Sequence, residues 1–428
     1  MRAAINVDHV ARIEGHGNIH VVIEDGAVKT VQMEVIEAAR LFESMVQGRI
    51  FSEVPYIASR VCGICSASHT VTDILAIERI FGVEVTDRTH ALRELLVYGS
   101  YLQNHGTHLY VLAAPDFLGQ KSVFPLEAVD PALFDGALAL KGLGNRLCTK
   151  VGGRSIHPIT AVVGGFTSEI SRDDYLWLAD EMDAMRPFAL QTVDLFNSFE
   201  VPDIQSAGDV LAMYAPDKFP VCDSRQAKFV DGAVVFDADD WDSWIEEYEV
   251  PHSGALFARE RGTGAHYMTS ALARMNVSWD FLCKGAKVAA AKAGLRPPER
   301  NPFRNNVAQA IELVDVLERC AGICRRLADD GFEGSSEVVP YKVRGGRGVG
   351  YTEAPRGALF HDLTLDDDGC VVRASIVTPT AQNTANLEDD MRLLAEKMVA
   401  EGADEASIRA EIEKLVRAYD PCLSCSVH

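Results

Sequence analysis

Cys62 and Cys65 form a Cys-x-x-Cys pair near the start of the chain, and a second pair, Cys422 and Cys425, closes it. A histidine follows each pair within four residues: His69 after the first, and His428, the final residue, after the second. Two intervening residues let both sulfurs of a pair face one ion without strain. One such pair is weak evidence, because redox dithiols share the spacing. Two pairs, with Gly63 and Pro421 shaping their turns, are specific. Zinc ribbons keep their pairs within a few tens of residues, because they staple small folds. Here the pairs lie at opposite ends of a chain too large to need a staple. A chain end is ordinarily the loosest part of a domain. The economical reading is four thiolates converging on one buried, functional metal centre, with the C-terminus locked inside to supply two of them.

Composition narrows the class. The chain has 428 residues, 47% apolar and 24% charged, in the range of ordinary globular proteins. A formal charge of −21 argues against a nucleic-acid surface, which concentrates Lys and Arg. No apolar run approaches the roughly 20 residues that span a bilayer, and the stretch from Met1 to His9 lacks the apolar core of a signal peptide. Ten cysteines in a chain this long fit metal-bound and free thiols in a reducing cytoplasm, not a disulfide scaffold.

The elements that must position the cysteines are mostly helical. Ile19, Val21 and Ile23 alternate before an Asp25-Gly26 turn and then Val28, Val31, Met33 and Val35, which predicts a β-hairpin over 17–37. Helical spacing over 66–81 ends at Gly82, and a strongly apolar helix follows over 88–114. Further helices are expected at 173–199, with Pro187 as a kink or break, at 269–294 and 303–330 around the breaker Arg296-Pro297-Pro298, and at 386–401 and 404–418. Asp231-Gly232 marks a second hairpin, and 357–378 a third, turning at Asp366–Gly369. The glycine-arginine run 344–350 reads as a flexible loop, and the acidic stretch 237–249 as a solvated face. The expected fold is α+β: a mainly α-helical chain with a buried helical bundle and small peripheral β-hairpins and sheets, forming one domain over 1–428 whose active site draws on both ends.

Five segments carry a family resemblance. Arg60-Val61-Cys62-Gly63-Ile64-Cys65-Ser66-Ala67-Ser68-His69 and Asp420-Pro421-Cys422-Leu423-Ser424-Cys425-Ser426-Val427-His428 resemble the two signature motifs of the large subunit of nickel–iron hydrogenases. Ala11-Arg12-Ile13-Glu14-Gly15-His16 resembles its N-terminal motif, Glu353-Ala354-Pro355-Arg356-Gly357 its arginine loop, and Thr378-Pro379-Thr380 the stretch beside the iron. The resemblance implies a Ni–Fe centre with carbon monoxide and cyanide on the iron. Cys62 and Cys422 would be terminal nickel ligands, and Cys65 and Cys425 bridges. It implies heterolytic cleavage of dihydrogen, with Cys422 as first proton acceptor and Glu14 relaying the proton outward. Arg356 would sit over the open metal position, held by Asp420, while Pro379 and Thr380 line the cyanide. Glu43, the Ile376 carbonyl and His428 match a structural magnesium (or iron) site. His69 would be a hydrogen-bond donor to a thiolate in place of a fifth ligand. Fe–S clusters would lie only in partners: an Fe–S small subunit docked near Cys62/Cys65, and further electron-transfer subunits, flavin- or NAD(P)-linked. The resemblance also implies a C-terminal extension removed after His428 once nickel is in place.

The remaining chemistry-bearing residues have plainer readings. His105 and His108 are packing histidines, and Cys148, Cys222, Cys283, Cys320, Cys324 and Cys370 are buried free thiols. Asn104 stands where many respiratory relatives carry aspartate above the metal. An ending of Cys-x-x-Cys-x-x-His, without arginine, points to soluble cytoplasmic multi-subunit enzymes and away from ion-pumping membrane forms. Two other functions compete: a hydrogen-sensing regulatory protein with the same centre, and a complex-I-like quinone-module protein, whose relatives lack the four cysteines.

Overall fold

The computed structural model describes residues 3–428; Met1 and Arg2, the first residues of the stretch read against a signal peptide, lie outside them. Strands β1 (Ala3–Val7), β2 (Gly17–Glu24) and β3 (Ala27–Val35) make an antiparallel sheet in the order β1-β2-β3. Its strict alternation of buried and half-buried positions along β2 is the one-sided burial that period-two patterning demands. The predicted hairpin is therefore present, with Asp25 and Gly26 both at positive φ in the turn.

A helical bundle fills the centre. Helix α1 (Ser66–Phe81) ends on left-handed Gly82, and α2 (Asp87–Thr107), capped by the Thr86 hydroxyl, runs on through a π-turn at His108–Ala113. Helix α3 (Pro131–Gly152) was not anticipated, although Asp130 caps it, Pro131 opens it, and Leu133, Ala137, Leu140, Leu143, Leu147 and Val151 recur at helical spacing. Helix α4 (Arg172–Ser198) runs unbroken through Pro187, the position expected to kink or break it. Against α4 and α2 packs α5 (Asn305–Ala328), with Ile311, Val314 and Leu317 in the shared core. The helix expected over 269–294 is instead split: Ala271–Ser278 and Lys284–Lys292 flank a tight turn at Trp279–Phe281.

Two other expectations are corrected. The glycine-arginine run is not a free loop, since Gly346 opens β4 (Gly346–Ala354), which pairs with β5 (Gly357–Leu365) and through it with β6 (Val371–Val377). Glycine serves close packing here: a Cβ on Gly350 would overlap the Thr72 carbonyl oxygen of α1. The acidic stretch is not wholly solvated. Trp241 is buried and donates to Asp362, and Ile245 enters a core with Tyr351 and Phe360. Those apolar residues, interleaved with the acids, turn the segment inward.

The last two helices are α6 (Pro379–Ala400) and α7 (Glu405–Ala418). Helix α6 starts seven residues before the expected 386, because Pro379 suits the first helical position. No helix among the described residues is long and apolar enough to cross a membrane.

Candidate metal centre

Cys62 follows a tight turn at Ser59–Val61 in extended conformation, and Cys65 immediately precedes α1. Cys422 and Cys425 flank the first turn of the last short helix, Leu423–Ser426. The four side chains are buried together, 5% exposed or less. Cys62 Sγ lies 3.7 Å from Cys422 Sγ, and Cys65 Sγ 4.0 Å from Cys425 Sγ. The convergence of both chain ends on one point, expected from spacing alone, is present. The structure joins Cys422 and Cys425 as a disulfide, where the sequence reading has two separate thiolates. The two states are alternatives for the same atoms, because a metal takes thiolates and a disulfide has none to offer.

The tail is locked by the N-terminal segment. Glu14 Oε2 lies 3.1 Å from Cys422 Sγ, and Glu14 also receives the Ser424 amide at 3.2 Å and the Ser424 hydroxyl at 2.8 Å. Its backbone carbonyl accepts from Leu423 N–H. Gly15, at φ +84°, lets this segment approach, since a Cβ there would press on Leu423. Glu14 is half-buried, so one carboxylate touches both a buried cysteine and the path to solvent. Arg40, which the sequence reading missed, holds the carbonyls of Arg60 and Val61 and donates its own amide to the Val427 carbonyl.

Arg356 and Asp420 pair as expected, with Arg356 Nε 3.1 Å from Asp420 Oδ1 and both side chains buried. Burial pushes the Asp420 carboxyl up, but Arg356, His108, Asn104 and Gln309 outweigh it and hold it below the usual carboxylate range. Asn104 Nδ2 donates to Asp420 Oδ2 at 2.6 Å and approaches His105 Nδ1 at 3.3 Å. The chain continues from His105 to Glu312 at 2.8 Å, from Glu312 to Arg274, and from Arg274 to Glu353 at 3.0 Å. His105 and His108 are thus satisfied inside the core, as expected, yet they also flank the Asn104–Asp420 pair. Gln309, Glu312 and Arg274 carried no sequence signal, because polar residues inside a long helix normally face water.

Thr380 Oγ1 accepts the Cys422 amide at 3.0 Å, which leaves its own hydrogen free to donate, and Pro379 opens α6 beside it. His69 groups with Cys65 and Cys425, its ring nitrogen and their sulfurs lying within 4.8 Å of one another. Burial and the neighbouring His361 keep His69 well below its ordinary pKa. Between the paired thiols, the Cys65 hydrogen bond and then Arg356 bring Cys62 down to about 7, while Cys65 is pushed well up. Of the six other cysteines, Cys148, Cys222, Cys320 and Cys324 are buried free thiols, whereas Cys283 and Cys370 are only half-buried, a correction to the expectation.

At the far side, Glu43 Oε1 accepts the Ile376 amide at 2.7 Å and lies 3.8 Å from His428 Nε2. His428 Nδ1 bonds the Cys425 carbonyl at 2.8 Å, leaving Nε2 buried without a protein partner. The sequence reading missed Glu247, which burial and Glu43 push up to about 8, with Oε1 likewise unpartnered. Glu43 and the unpartnered Nε2 of His428, 3.8 Å apart beside the backbone of Ile376, are donors of the kind a hard divalent cation takes. The four sulfurs fit nickel and iron, and Arg356, near Cys62 and Cys65, keeps Nη1 buried without a partner and able to donate to a group bound there.

Comparison with known proteins agrees with this geometry. Residues 40–133 and 306–428 match the nickel-dependent hydrogenase family. The alpha chain of sulfhydrogenase 1 from Pyrococcus furiosus is 34% identical, covering 99% of this chain and 97% of that protein. The alpha chain of sulfhydrogenase 2 from the same organism is 32% identical, covering 99% and 98%. Among solved structures, an NAD+-reducing [NiFe]-hydrogenase in the H2-reduced state superposes with a TM-score of 0.89 at 25% identity, covering 100% of this chain and 99% of that one. With both cysteine pairs converged and the whole length matched, the chain belongs to the nickel-dependent hydrogenases, as a large subunit of the nickel–iron type.

Proposed function

We propose that Cys62, Cys65, Cys422 and Cys425 hold a nickel–iron pair whose iron carries carbon monoxide and cyanide, and that the chain cleaves dihydrogen reversibly there. The contact between Glu14 and Cys422 at 3.1 Å carries this reading, because it gives a proton released at the cluster an immediate acceptor. The bound metals would supply heterolysis of dihydrogen, a reaction soft thiolate sites with an open position support. Cys422 takes the proton first and Glu14 passes it outward, being half-buried where Cys422 is not exposed. Arg356, fixed by Asp420, presents a positive charge over the same space and excludes water from it. Pro379 and Thr380 line the iron's cyanide side. Glu43, Ile376 and His428 would hold a magnesium or iron ion that seals the tail.

The whole of 1–428 acts as one domain: the largest core takes in residues from Ile5 to Val427, and smaller clusters, one of them holding the four cysteines, accompany it. The six remaining cysteines are scattered and offer no Fe–S run. Electrons therefore leave through an Fe–S small subunit. Exposed Leu41, Met45, Ile50, Tyr56 and Ile156, in the segments around Cys62, supply an apolar face for it. The reading includes a soluble carrier, reached through flavin- or NAD(P)-linked subunits, and a cytoplasmic location; the likeness to an NAD+-reducing [NiFe]-hydrogenase supports the carrier. A quinone-module role is disfavoured by the four cysteines. Turnover separates enzyme from hydrogen sensor. The complex, purified anaerobically, should contain about one nickel per chain and reduce dye with hydrogen; stoichiometric zinc without nickel would overturn the reading.

A further inference from the structure

Behind the cysteine cluster, His69, His361 and Asp73 form a chain of three side chains, each 1% exposed or less. Asp73 Oδ1 lies 2.7 Å from His361 Nδ1, and His361 Nε2 lies 3.0 Å from His69 Nδ1. A carboxylate only accepts, so His361 Nδ1 carries the hydrogen of that bond. With that hydrogen on Nδ1, His361 accepts at Nε2 from His69 Nδ1–H, so His69 turns a bare Nε2, an acceptor and not the expected donor, towards Cys65 and Cys425. His69 and Asp73 sit one helical turn apart on α1, and His361 reaches in from β5 to bridge them. Gly350 permits that approach of sheet to helix, and β5 begins directly after Arg356.

Three buried ionisable groups are costly where apolar packing would serve equally well. The chain also ends inside the protein, because Asp73 Oδ2 is buried with no partner. A blind end suits orientation better than proton export.

We propose that Asp73 and His361 are positioning residues for the metal centre, fixing the ring plane and hydrogen placement of His69 against Cys65 and Cys425. The arrangement extends by one imidazole the carboxylate–histidine support that steadies ligands of other metal sites. It rests on the nickel–iron reading given above. Cys65 and Cys425 are two of the four sulfurs that would hold the metals, so a change at His69 would be felt by the groups bound there.

The test uses the whole complex carrying H361Q or D73N; the second preserves side-chain shape and guards against a simple folding failure. Nickel content, melting temperature, infrared stretches of the iron-bound diatomic ligands, and kcat and KM for hydrogen are read together. Both variants should retain nickel, shift the infrared bands, and lower kcat per nickel roughly 10- to 100-fold with KM nearly unchanged. Unmoved bands with parental kcat per nickel would overturn the proposal. Lower stability and nickel content with unmoved bands and unchanged kcat per nickel would also overturn it, since that is a purely structural role. If the parent complex itself holds no nickel, the nickel–iron reading fails first, a result distinguishable from both.

Discussion

A serine at Cys62, Cys65, Cys422 or Cys425 replaces a soft thiolate with a hard hydroxyl that stays protonated at neutral pH. Each such variant should lose hydrogen-dependent dye reduction and nickel together; full activity in any one removes that residue from the centre. Glu14 acts differently, because it holds a proton and not a metal. E14Q preserves the Ser424 contacts in shape but removes the acceptor, so nickel should stay near parental while turnover falls about 100-fold or more. A parallel loss of nickel would reassign Glu14 to tail locking alone. Away from the centre, burial and Asp223 push Glu94 up to about 8. Between the usual carboxyl range and that value, the folded chain holds a proton that the unfolded chain has lost, so stability falls as pH rises through this window. E94Q should therefore raise the melting temperature at about pH 8.5 and do much less at about pH 5. Equal effects at both would show that Glu94 is not the group responsible.

At the level of elements, the seating of β4 on α1 places both the cysteine pair and the Arg356 hairpin. The contact is backbone against backbone, because a side chain at Gly350 would overlap the Thr72 carbonyl. G350A should cost about 1–3 kcal/mol, the range for overpacking a filled interface, read as a lower urea midpoint with an unchanged slope. A neutral result would mean that α1 shifts freely. The buried pair of Arg274 and Glu312, with both side chains 1% exposed, is the other fixed joint. It ties α5 to Ala271–Ser278 and steadies His105 beside Asn104.

For the molecule as a whole, the C-terminal segment is threaded beneath the N-terminal one, with Pro421, Cys422, Leu423 and Cys425 to Val427 all buried. A metal that draws on both ends couples their order to the rest of the fold. Amide exchange over 421–428 should slow markedly in the nickel-loaded complex relative to metal-free protein, while exchange in α4 changes little. Equal exchange in the two forms would separate tail closure from metal binding. Because the chain has no Fe–S run of its own, the isolated metal-loaded chain should not reduce dye at the rate of the complex. Equal rates would remove the need for a small subunit.

Cysteine spacing by itself pointed to one centre built from both chain ends, and the resemblance of short local motifs added Glu14, Arg356, Asp420 and Thr380, which the fold sets in contact with Cys422 or with one another. Period-two and helical patterning likewise marked the β2–β3 hairpin and α1, where one buried face dictates the pattern. Tertiary structure alone decided the rest. His361, Gln309, Glu312 and Arg274 look like surface residues until packing encloses them, and Gly350 looks like loop glycine until α1 lies against it. Buried polar residues leave no periodic trace: their partners come from other elements, and only the folded chain pairs a charge on one helix with a donor brought in by a distant strand.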